Sequence, residues 1–148
     1  MKRLILLLFG FMTLSSFAQS NRESLINSLD SCVISRSQEV GFWGGEIGHP
    51  PEIFAFNIIY KSPYAGKKFK EIYPMATISG KFYCVIGLFL LTDSEYEKYK
   101  TDFISLKTTE PIYFRVGCKL MKYESQEKLL KQWMEAYDNK VWYTKIVL

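Results

Sequence analysis

The chain has 148 residues, with 19 Lys and Arg against 15 Asp and Glu, a formal net charge of +4 and an apolar share of 48% that includes 16% aromatic residues. That length suits one domain, large enough to bury a core without disulfide or metal staples. A nearly balanced charge with no concentrated basic face excludes a nucleic-acid binder of the usual kind.

The first residues read as an export signal. Lys2 and Arg3 precede an apolar run over residues 4–14, and Ser15, Ser16, Phe17 and Ala18 lead to a cleavage point before Gln19. Charged, apolar and small-residue regions in that order are what signal peptidase reads. The run is too short to cross a membrane, which takes roughly 20 apolar residues. Residues 1–18 are therefore expected to be a bacterial-type signal peptide and residues 19–148 one exported globular domain, periplasmic or extracellular. The first cysteine is Cys32, so no lipid-anchored cleavage site is expected. Without Lys2 and Arg3 the 19 basic residues fall to 17 against 15 acids, a mature charge of about +2. Residues 82–91 form the longest strongly apolar stretch after the signal, and ten residues suit a buried helix better than a membrane span.

Over residues 21–36, Leu25, Ile26, Leu29, Cys32 and Val33 repeat at the spacing of an amphipathic helix. Gly41, Gly44, Gly45, Gly48 and Pro50 end it and impose a loop. Pro50 and Pro51 suit the first turn of a second helix, where a missing N–H costs nothing, with Ile53, Phe56, Asn57 and Tyr60 along its faces. Ser62-Pro63 interrupts it. Residues 67–73 give a short helix with Phe69, Ile72 and Tyr73 as its apolar positions, stopped by Pro74. A longer apolar helix is expected over 79–91. Thr92-Asp93-Ser94-Glu95 has the spacing of a capping box and should open a polar helix through Tyr96, Tyr99 and Phe103. Residues 111–116 are β-branched and aromatic and read as a strand. Residues 125–137 return to helical spacing through Leu129, Leu130, Trp133, Met134 and Tyr137, and residues 141–147 read as a terminal strand. The sum is a mainly α, α+β fold: short antiparallel helix pairs on one core, with a small two-stranded β element at the C-terminus.

The run of short helices and tight turns over residues 53–103 resembles HEAT-like α-helical repeat hairpins, which stack into a continuous core. The resemblance lies in the pattern of helices and turns and carries no family motif. It implies a protein-binding scaffold with no catalytic residues to carry over.

The sequence holds few constellations with chemistry in them. Lys67, Lys68 and Lys70 are its basic cluster and read as a solvated helix face. Of the three cysteines, Cys84 lies in the apolar stretch and reads as a small buried hydrophobe, which leaves Cys32 and Cys118 as the pair for a disulfide in an oxidising compartment. Their spacing suits neither a zinc site nor a redox pair, and no metal or cofactor is expected. His49, the single histidine, follows Glu46 by three residues in the glycine-rich loop. With Glu46 or Glu52 it could serve a small secreted hydrolase as general acid or base; a separate alternative is a glycosidase-type carboxylate pair drawn from Glu46, Glu52 and Glu71, for which their spacing gives no argument. The bland alternative is an exposed loop histidine. Phe42 and Trp43 are large apolar groups in the same loop, typical of interface anchors, or else a lid folded over the helices. With no nucleophile elbow and no phosphate loop, the leading expectation is a non-enzymatic module that binds a protein or cell-envelope component through Phe42, Trp43 and His49.

Overall fold

The computed structural model describes residues 28–42, 50–108 and 111–141. The proposed signal peptide, the segment from Trp43 to His49 and the expected terminal strand beyond Val141 lie outside the described residues. What is described is mainly helical with a three-stranded mixed sheet, in agreement with the fold class expected from the sequence.

Helix α1 covers residues 28–35. Its core contact differs from the expected stripe: Ile34 is fully buried while Leu29 is 61% exposed. Strand β1, Glu39–Phe42, follows, and its last two residues fall in the stretch from Gly41 onward that was expected to be loop. The chain then continues through α2 (Pro51–Tyr60), α3 (Ala65–Ile72), a 3-10 turn at Tyr73–Met75, α4 (Ile78–Leu90), α5 (Tyr96–Ser105), β2 (Ile112–Val116), β3 (Lys119–Tyr123) and α6 (Gln126–Asp138).

The apolar stretch predicted to be a buried helix is the centre of the molecule. Residues 82–88 of α4 are all buried, and α2, α3, α5, β1 and β2 pack around that helix. Close approach is possible because Gly87 presents no side chain to α3: a methyl group there would overlap the ring of Phe69, itself fully buried. Gly80 plays the same part toward the backbone carbonyl of Ile34 at the end of α1. Trp133 carries α6 onto the core, edge-on to Phe82 and Phe89, and Gln126 fixes the start of α6 by donating to the Leu106 carbonyl at 2.7 Å.

The capping box expected at Thr92 does not form. Thr92 instead ends α4: its φ is 51°, its N–H reaches the Phe89 carbonyl, and the Asp93 N–H reaches that of Leu88, the two bonds of a Schellman ending. The start of α5 is organised by Asp93, whose carboxylate accepts the Glu95 N–H at 2.9 Å. Lys70 from α3 joins the same turn, 3.1 Å from both Asp93 and Glu95. The lysine cluster is thus split: Lys67 pairs on the surface with Glu71 at 3.7 Å, and Lys70 is a tie between α3 and the α4–α5 turn. The Glu95 N–H and the Lys70 ammonium hold the Asp93 carboxyl below its usual range, and Lys70 does the same for Glu95.

Strand β2 lies where the sequence placed it, but its neighbours are different from those expected. On one side it pairs antiparallel with β3 through a two-residue turn, Gly117 and Cys118, in which Gly117 has φ 56°, a conformation only glycine takes cheaply. On the other it pairs parallel with β1. Glu39 and Arg115 close the β1–β2 pair with two hydrogen bonds of 2.8 and 3.1 Å. Beneath the sheet the buried hydroxyl of Tyr83 on α4 accepts the Gly41 N–H at 3.0 Å, so β1 is bonded to the central helix as well as to β2. Cys32, Cys84 and Cys118 are all free thiols, and the Cys32–Cys118 bond considered from the sequence is not formed. Cys84 is buried, as its apolar surroundings suggested.

Candidate functional site

A helix that is apolar on every side is ordinarily enclosed by its neighbours. Helix α2 is such a helix, yet it is enclosed only in part. Ile53, Ala55, Phe56 and Ile59 face the core. Asn57 is buried with them and spends its amide on the helix backbone, donating to the Ile53 carbonyl at 2.8 Å. Phe54 and Ile58, four residues apart and therefore on one face, are 52% and 45% exposed. Tyr64, between α2 and α3, is more exposed still. These side chains are the large apolar groups that α2 and the turn after it leave exposed.

Of the residues expected to form a site, Phe42 ends β1, and its side chain lies outside the described residues, as do Trp43, Glu46 and His49. Glu52 sits in the first turn of α2, half-buried, where a carboxylate is favoured by the helix dipole. Glu71 is on a different helix and is engaged with Lys67.

A concavity of about 440 Å³ lies along α5 and the 3-10 turn and is lined by Lys70, Tyr73, Pro74, Lys81, Lys98, Tyr99 and Asp102. Its floor is a fixed network. The Tyr73 hydroxyl donates to Asp102 at 2.7 Å, and the Lys81 ammonium donates to the Tyr73 carbonyl at 2.8 Å while standing 4.2 Å from the centre of the Tyr73 ring. Burial, reinforced by the Asp102 carboxylate, pushes the Tyr73 phenol well above its ordinary range. A proton held that firmly makes Tyr73 a structural donor and no base near neutral pH. The Cys84 thiol is likewise driven far up by burial, which removes it as a nucleophile. Among the described residues no group of three His, Cys, Asp or Glu side chains is placed to hold a metal ion, and no helix is long and apolar enough to cross a membrane.

No protein-family model, curated protein or solved structure matches this chain.

Proposed function

We propose that the chain is an exported, non-enzymatic module that binds another protein or a component of the cell envelope through the outward face of α2 and the neighbouring Phe42–Trp43–His49 segment. The observation that carries this reading is the half-exposure of Phe54 and Ile58 on a helix with no polar face. Covering the exposed half of two such side chains is worth about 1 kcal/mol each, a contribution that selection against aggregation would otherwise have replaced with charge. The HEAT-like hairpin pattern of residues 53–103 points the same way, toward a scaffold that presents a surface. The signal-like N-terminus supports export.

The test is site-specific photocrosslinking in producing cells, with a photoreactive phenylalanine at position 58 and, as control, at position 98, where the Lys98 side chain is 71% exposed on α5. The expected result is one crosslinked species of defined mass from position 58, abolished by Phe54→Asp, and none from position 98. Equal crosslinking from both positions, or none from position 58, overturns the reading. Fractionation of the same cells tests export: the chain should be cut after Ala18 and leave the cytoplasm, and an uncut cytoplasmic chain refutes that part.

A further inference from the structure

We propose that a cleft at the start of α4 binds a small organic carboxylate, with the first turn of that helix holding the carboxylate group. The cleft has a volume of about 520 Å³ and lies between the first turn of α4, the approach to β1 at Ser37 and Gln38, and the residues Leu106 to Thr108, Pro111 and Tyr113. Ser79, the second residue of α4, lines it, is 1% exposed, and has a hydroxyl with no hydrogen-bond partner. A buried hydroxyl in that state lowers stability, and a ligand oxygen would supply the missing partner.

The surroundings of Ser79 are those of an anion site. The first-turn N–H groups of Ile78 and Ser79 have no acceptor within the helix, whereas that of Gly80 is taken by the Thr77 hydroxyl at 3.1 Å and that of Lys81 by the Thr77 carbonyl at 2.8 Å. The free donors sit at the positive end of a helix of 13 residues, where partial positive charge gathers. This turn is fixed in advance. The Thr77 N–H donates to the Ser35 carbonyl at 2.9 Å and its hydroxyl to the carbonyl of Ser37. Among the described residues that line the cleft none is acidic, and Lys107 stands at its edge.

The remaining walls select for more than a bare ion. Ile78, Leu106, Pro111 and Tyr113 are apolar or aromatic, and the volume exceeds what inorganic phosphate fills. A carboxylate on an aromatic or short aliphatic body satisfies both halves. This inference is independent of the α2 surface, which lies on a different helix.

The experiment is a two-dimensional NMR titration of the purified protein with benzoate, with benzamide as its neutral isostere and with inorganic phosphate. Benzoate should move the backbone amides of Ile78, Ser79 and Gly80 saturably, and benzamide should leave them in place. Ser79→Ala should weaken benzoate binding about tenfold, the loss of one hydrogen bond to a charged group, while raising the melting temperature of the free protein because the unpartnered hydroxyl is gone. Lys107→Gln should weaken it about two- to threefold, as an exposed charge does. The proposal is overturned if these amides do not respond by about 10 mM benzoate, if benzamide moves them equally, if phosphate binds and benzoate does not, or if Ser79→Ala leaves the titration unchanged.

Discussion

Gly87→Ala sets two effects of opposite sign against each other. In an unobstructed helix the change adds about 1 kcal/mol of stability, because alanine is the better helix former. Here the new methyl group would overlap three atoms of the Phe69 ring. That ring is fully buried and held against Phe56 with centroids 5.2 Å apart, so it has no free space to yield into. Overpacking of this kind costs about 1–3 kcal/mol, and the net expectation is a loss of about 1 kcal/mol. Urea unfolding followed by far-ultraviolet circular dichroism measures it, as a lower midpoint at unchanged slope. Phe69→Leu should also destabilise on its own, but the double variant should exceed the sum of the two single changes by about 1 kcal/mol, since the shorter side chain makes room for the methyl. A Gly87→Ala midpoint above that of the parent protein would refute the close packing of α3 on α4.

Two further tests address the joints between elements. Tyr83→Phe leaves the buried Gly41 N–H without its acceptor and should cost about 1–3 kcal/mol, with amide exchange at Gly41 accelerating more than exchange in α6; a change within about 0.5 kcal/mol would show that β1 does not depend on that hydroxyl. The Asp93 and Glu95 carboxyls are held below their ordinary values of 3.8 and 4.5, so the stability they provide is complete above those values and is lost as pH falls through the lowered folded-state values. Lys70→Met should therefore unfold at lower denaturant than the parent at neutral pH, with the gap closing as the pH drops from 5 toward 2, and a gap that stays constant across that range would count against the Lys70 tie.

Most of the helices were legible because each carries a local signal: proline at the start of α2, Phe69 and Ile72 at helical spacing in α3, the unbroken apolar run in α4, and Leu129, Leu130 and Trp133 at helical spacing in α6. What escaped depends on partners distant in sequence or on one residue serving two neighbours. Residues 39–42 carry two of the signals that argue against a strand, a glycine and a charge, and become one because Arg115 answers Glu39 and Tyr83 answers Gly41. Gly117 and Cys118 fit the Gly-x pattern of a hairpin turn, but that pattern signals a hairpin only when the run after it is itself recognisable as a strand. The neighbouring Lys119–Tyr123 run alternates poorly, with only Met121 and Tyr123 half-buried, so its pattern did not announce a strand. Thr92 matched a capping box by spacing, but the preceding helix had prior use of it as an ending.

As for function, the sequence pointed to the loop from Phe42 to His49. The described residues add the neighbouring α2 face, which periodicity alone concealed: in a helix apolar on all sides, nothing in the order of Phe54, Phe56, Ile58 and Ile59 says which pair turns outward. Ser79 was equally silent, being an ordinary residue for a helix start until its burial and lack of a partner are known.

The parallel pairing of β1 with β2 bears on how the chain assembles. Glu39 and Arg115 stand 76 positions apart, whereas β2 and β3 are separated by two residues. Hairpin closure is a microsecond event, but β1 finds its partner only after the intervening helices have been gathered, and the loop entropy is spent before any contact repays it. Strand β1 is therefore expected to dock last and to detach first. Weakening the Glu39–Arg115 clasp should speed unfolding while leaving the rate of folding nearly unchanged, so the persistence of the native state rests on a four-residue strand far more than the modest size of that strand suggests.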